Sequence, residues 1–115
     1  MHKSYSELRR IPTFEERFEY VRLGGVVGRE TFGFERYLNQ AFYHSNEWRR
    51  FRRDMIVRDN VCDLAIPDRE IFDRIILHHL NTITMEDIEN SADCLFDPDN
   101  VVCVSHSTSN AIHYG

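Results

Sequence analysis

The run Ile75-Ile76-Leu77-His78-His79-Leu80-Asn81 carries an apolar, strand-forming segment straight into two adjacent histidines. Consecutive large aliphatic residues ask for a buried extended segment. Neighbours on a strand point to opposite faces, so one imidazole can hold a metal while the other meets a water or a substrate from the far side. Packing alone rarely asks for such a pair. Further on, Asn100 opens a second short apolar run, and His113 lies on a terminal segment with helical character.

Around that run the chain divides into a helical leader, residues 1–58, and a mixed part, residues 61–115, which together predict an α+β fold. Thr13 with Glu16 three residues on is a capping-box signature. Phe14, Phe18 and Val21 then recur on one face until Gly24-Gly25 ends the helix. A second helix is expected from Phe34 to Tyr43, with Tyr37, Leu38, Ala41 and Phe42 as its apolar face. Ser45 caps a third, in which Trp48, Phe51, Met55 and Ile56 line one side and arginines line much of the other. That spacing favours core packing over a base-stacking platform for the aromatic residues. Beyond Asp59-Asn60, strands are expected at Val61–Leu64 and Ile71–Leu77, joined by a turn around Pro67-Asp68. Thr84 with Asp87 opens a short helix, Asp97-Pro98-Asp99 makes a turn, Val101 to Val104 form a strand, and a last helix starts near Ser107 and reaches His113.

Length and composition bound what these elements can build. With 115 residues, 42% of them hydrophobic, the chain supports one domain over residues 1–115 around one core. No apolar stretch approaches the roughly 18 residues of a membrane span, and the amino terminus lacks a basic-then-apolar signal, so a soluble, cytoplasmic protein without membrane partners is expected. Cys62, Cys94 and Cys103 are widely spaced and odd in number, which fits a reducing compartment and excludes a Cys-x-x-Cys zinc knuckle. A net charge of -5 argues against a uniformly basic surface. Arg49, Arg50, Arg52, Arg53 and Arg58 nevertheless crowd one segment, with Glu47 and Asp54 as its acids. Guanidinium groups suit phosphate oxygens, which makes the segment a candidate nucleic-acid stripe; a solvated helix face laced with salt bridges is the alternative.

The order His-His, Asn, His resembles that of the HNH nuclease family. From Leu77 to Gly115 the segments LHHLNTITMEDI, LFDPDNVV and HSTSNAIHYG resemble HNH proteins encoded by phages of Gram-positive bacteria. The upstream stretches YVRLGG, TFGFERYLNQAFY and EWRRFRRDMIVRDNVCDL are similar to the same group, so the resemblance covers nearly the whole chain. It implies a helical N-terminal half followed by a ββα-metal motif, in which a hairpin carries the histidine pair and the asparagine and the next helix returns metal ligands to the same point. The implied activity is metal-dependent hydrolysis of DNA phosphodiester bonds, by nicking or double-strand cleavage, in the cytoplasm of a phage's host. The resemblance makes His78 a metal ligand, His79 the general base that deprotonates water, Asn100 the residue that orients His79, and His113 the ligand from the helix. One divalent cation, Mg, Mn, Zn or Ni, is the implied cofactor.

One position departs from that pattern. The family usually places another histidine four residues before His113, on the same helix face, and here that position is Ser109. A hydroxyl is a much poorer ligand for a transition metal than imidazole, so Ser109 weakens zinc- or nickel-type binding, whereas Mg²⁺ or Mn²⁺ accept oxygen ligands and keep waters. His106 could substitute only if the helix begins after it. A second function class therefore stands beside the enzyme: a nuclease-derived DNA- or protein-binding phage protein, a regulator or an anti-defence factor acting on a phage or host protein. For the enzyme, double-strand cleavage calls for a homodimer or for sequential nicks.

Overall fold

The computed structural model describes residues 2–22, 40–81, 83–90 and 92–114, and their side chains except those of Met85, His113 and Tyr114. The architecture is mixed α+β. Helices α1 (Tyr5–Leu8), α2 (Phe14–Arg22) and α3 (Asn46–Arg58) precede strand β1 (Ile75–His79), helix α4 (Met85–Glu89), strand β2 (Val101–Ser105) and helix α5 (His106–Tyr114). No described helix is long and apolar enough to cross a membrane.

Local chemistry starts α2, α3 and α4 where the sequence predicts, whereas α1, capped by Ser4, is not among the expected helices. Thr13 Oγ1 accepts the Glu16 N–H at 3.2 Å and donates to Glu16 Oε1, opening α2. Ser45 Oγ accepts the Trp48 N–H at 3.2 Å and donates to Phe42 O at 2.7 Å, so the cap of α3 also ties it to the helical residues 40–43. Thr84 and Asp87 form the reciprocal capping box of α4. Each such cap is worth about 1 kcal/mol. The expected Gly24-Gly25 stop and most of the helix expected over Phe34–Tyr43 lie outside the described residues.

Strands β1 and β2 pair antiparallel, Ile75 opposite Ser105 through His79 opposite Val101. The pair is a wall between two halves of the core. Leu77, Val101 and Cys103 pack with Phe42, Trp48, Met55, Ile71 and Leu95 on the α3 side. Val102 and Val104, with Ile76 and Leu80, pack against Tyr5, Leu8, Val21, Leu64 and Ile112 on the side of α1, α2 and α5. An isolated strand pair is marginal in water; here both faces are covered, and each fully buried valine or leucine contributes roughly 1.5–3 kcal/mol.

The strand expected at Val61–Leu64 does not form. Asn60, Val61, Leu64 and Ala65 take φ of 55°, 58°, 52° and 57°, and Asp63–Ala65 is a 3-10 turn. Left-handed backbone costs a non-glycine residue about 1–2 kcal/mol, and the compensation lies in what the turn presents. The Arg58 guanidinium donates to Val101 O at 2.8 Å, Asp59 Oδ2 accepts the Cys103 N–H at 2.9 Å, and Asp63 Oδ1 accepts the Ser105 N–H at 3.1 Å. Side chains thus satisfy the outer edge of β2 where a third strand would have used its backbone. The second expected strand, Ile71–Leu77, is displaced: Ile71 donates its N–H to Val61 O, and regular pairing begins at Ile75.

Candidate functional site

The two histidines leave β1 on opposite faces. His79, opposite Val101, lies on the α3 side, where its ring stacks on Trp48 at 5.2 Å between centroids and 25° between planes. Its Nε2 lies 3.1 Å from Leu95 O in the 3-10 turn Asp93–Phe96. A carbonyl only accepts, so Nε2 carries the hydrogen and Nδ1 keeps the lone pair. Burial pushes the His79 imidazole below its usual pKa of 6.5, against an opposing pull from the bond to Leu95. The outcome is a neutral ring of fixed tautomer, the form in which an imidazole accepts a proton.

His78, opposite Val102, sits on the other face, which α5 covers through Ile112. Ser109 is buried on α5, one helical turn before His113. The side chain of His113 lies outside the described residues, so its expected approach to His78 does too. Among the described residues no group of three or more His, Cys, Asp and Glu is placed to hold a metal ion; the described members of the expected set are one imidazole and one hydroxyl. Helix α5 begins at His106 itself, with Ser105 Oγ accepting the Thr108 N–H at 3.0 Å. His106 is thus exposed in the first turn and does not meet the condition for replacing the missing ligand.

Asn100 is buried just before β2, and its partners differ from those expected. Its Oδ1 accepts from Asn81 N at 3.1 Å and from Asn81 Nδ2 at 2.7 Å, while its Nδ2 donates to Cys94 O at 3.1 Å. Its backbone carbonyl accepts the Leu80 N–H at 2.7 Å, continuing the ladder past His79. Leu95 O, and not the Asn100 amide, holds the His79 ring. Sequence reasoning misses this because a backbone carbonyl has no signature in sequence; Asn81 is visible there as a polar residue closing an apolar run, but its role is not.

The arginine segment divides in two. Arg52 donates to Ile75 O at 2.7 Å, and Arg58 binds Asp59, Pro98 O and Val101 O with its guanidinium 3.5 Å from the centre of the Tyr5 ring. These two belong to the fold. Arg49, Arg50 and Arg53 are exposed on the outer side of α3, without an ion pair among the described residues. They begin one residue after the Trp48 that covers His79.

Two open clefts, of about 430 and 760 Å³, lie elsewhere: one between α2, Arg69 and α5, the other along residues 66–73. Neither is lined by His78, His79 or Asn100. No protein-family model, curated protein or solved structure matches the chain.

Proposed function

We propose that the chain is an HNH-type endonuclease that hydrolyses DNA phosphodiester bonds. The observation that carries this reading is the state of His79: a neutral imidazole at a strand end, its Nε2–H on Leu95 O and its Nδ1 left as the accepting nitrogen. In this reading Nδ1 removes a proton from water, the oxygen attacks phosphorus, one P–O ester bond breaks, and the leaving oxygen takes a proton from solvent. Arg49, Arg50 and Arg53 draw the phosphate backbone to the α3 side. A divalent cation held by His78 and His113 would offset charge building on the phosphate and leaving oxygen.

A plasmid-nicking assay with Mg²⁺, Mn²⁺, Zn²⁺ or Ni²⁺ tests this, with His79→Phe as the control that keeps an aromatic ring on Trp48 and removes the base. The parent is expected to nick, and the variant to be slower by about 10²- to 10⁴-fold. Absence of cleavage by the parent with every cation overturns the enzyme reading. The second reading, a DNA- or protein-binding protein descended from such nucleases, is favoured by Ser109, which is buried on α5 where the resemblance asks for an imidazole. DNA binding without nicking is its expected signature.

A further inference from the structure

Asn81 follows His79 by two residues and uses its whole side chain. Its Oδ1 accepts the Lys3 N–H at 2.8 Å, and its Nδ2 donates to Lys3 O and to Asn100 Oδ1, both at 2.7 Å. Its backbone N–H adds a bond to Asn100 Oδ1 at 3.1 Å. The consequence concerns the direction of the Asn100 amide. Two donors from Asn81 oblige Asn100 to present its oxygen toward β1, so its NH₂ group must face the turn, where it meets Cys94 O. The next carbonyl along, Leu95 O, receives His79 Nε2. Two adjacent carbonyls of one turn are therefore bound from the same strand exit, one by the base itself and one by an amide whose orientation Asn81 dictates.

Lys3 ties this junction to the amino-terminal segment. Its ammonium is buried and donates to Val21 O at 2.6 Å, Ser4 N–H donates to the Tyr20 hydroxyl at 2.8 Å, and Ser6 donates twice to Asp99 Oδ1. The segment lies as a strap over the strand exit, anchored on α2 at one side and on the residues before β2 at the other. A polar network with its donors and acceptors matched in this way is stiff and specific.

We infer that Asn81 is the positioning residue of the site: clamped by the Lys3 backbone, it fixes the Asn100 amide, and through the 93–96 turn it fixes the tautomer and placement of the His79 ring. As a role in catalysis this rests on the nuclease reading; as a statement about the imidazole it does not. Asn81→Asp has the same shape but presents only acceptors. The backbone N–H of residue 81 still donates to Asn100 Oδ1, but the carboxylate oxygen that replaces the NH₂ repels it and draws the Asn100 NH₂ away from Cys94 O. The turn loosens and Leu95 O leaves Nε2.

The test is NMR of the protein with labelled imidazoles, reading the His79 tautomer in the parent, Asn81→Asp and Asn81→Ser, together with nicking rates. In the parent His79 is expected as the single Nε2–H tautomer. In Asn81→Asp it becomes a mixture of tautomers, and kcat for nicking falls by about 10- to 100-fold with KM unchanged. The shorter Asn81→Ser, whose hydroxyl can still donate to Asn100, recovers part of both signals. Unchanged His79 ring-nitrogen resonances in Asn81→Asp overturn the inference whether or not the protein cuts DNA. Shifted resonances in a protein whose parent form does not nick sustain the positioning role and overturn the nuclease reading instead. If Asn81→Asp does not fold, Asn81→Ser alone decides: His79 signals indistinguishable from the parent's sink the inference.

Discussion

The contacts that fix the His79 tautomer also seat the partly buried ring against Trp48 of the core, so substitutions there report on stability as well as on chemistry. Because burial depresses its pKa, the folded protein resists protonating this ring while the unfolded chain accepts the proton near pH 6.5. The stabilisation is therefore complete above that pH and is lost as pH falls below it. Urea midpoints should decline between pH 7.5 and 5.5, and His79→Phe should flatten that decline; an identical pH profile in the variant would assign the dependence to other groups. Ser109 invites the opposite experiment. It is 7% exposed, so Ser109→His must force a larger group beneath α5 and should cost about 1–3 kcal/mol without metal. If the face holds a cation with His78 and His113, added Zn²⁺ should then raise the melting temperature of Ser109→His well beyond its effect on the parent. Equal shifts in the two proteins would make Ser109 a packing residue.

Among the elements, Asp63 links two at once: Oδ1 accepts the Ser105 N–H and Oδ2 the Thr108 hydroxyl at 2.6 Å, fastening the end of β2 to the first turn of α5. Asp63→Ala leaves both donors without this partner and should destabilise by on the order of 3 kcal/mol, readable as a lower urea midpoint. Loss below about 0.5 kcal/mol would mean that water replaces the carboxylate without cost. This link also marks the limit of what the sequence makes legible. Thr13, Ser45 and Thr84 are legible as caps because the partner of each lies three residues away, and Val101–Val104 is legible because an apolar run declares itself. Val61–Leu64 misleads because a short, mostly apolar run reads as a strand, while its actual task is set by the edge of β2, where Asp63 accepts the Ser105 N–H far along the sequence. In the site, the opposite facing of His78 and His79 follows from strand geometry, whereas the bond from Leu95 O and the pairing of Asn100 with Asn81 depend on how the 3-10 turns fold back.

For the molecule as a whole, the partition of the arginines predicts two kinds of variant. Arg49→Ala with Arg53→Ala should leave thermal stability nearly unchanged and weaken DNA binding irrespective of sequence. It should also reduce the slope of log K against log salt by about 0.9 for each phosphate that is no longer neutralised. Arg58→Ala should do the reverse, since it removes bonds to Pro98 O and Val101 O and leaves the buried Asp59 without its cation. A pair of surface variants with the parent's salt slope would rule out phosphate binding at α3. The side-chain closure of β2 has a consequence beyond stability of the single chain. Val101-Val102-Cys103-Val104 is an uncharged, β-prone stretch whose outward N–H groups at Cys103 and Ser105 would, if bare, accept a strand from another molecule. The buried Asp59 and Asp63 accept from both, so neither group is available to a strand from another molecule.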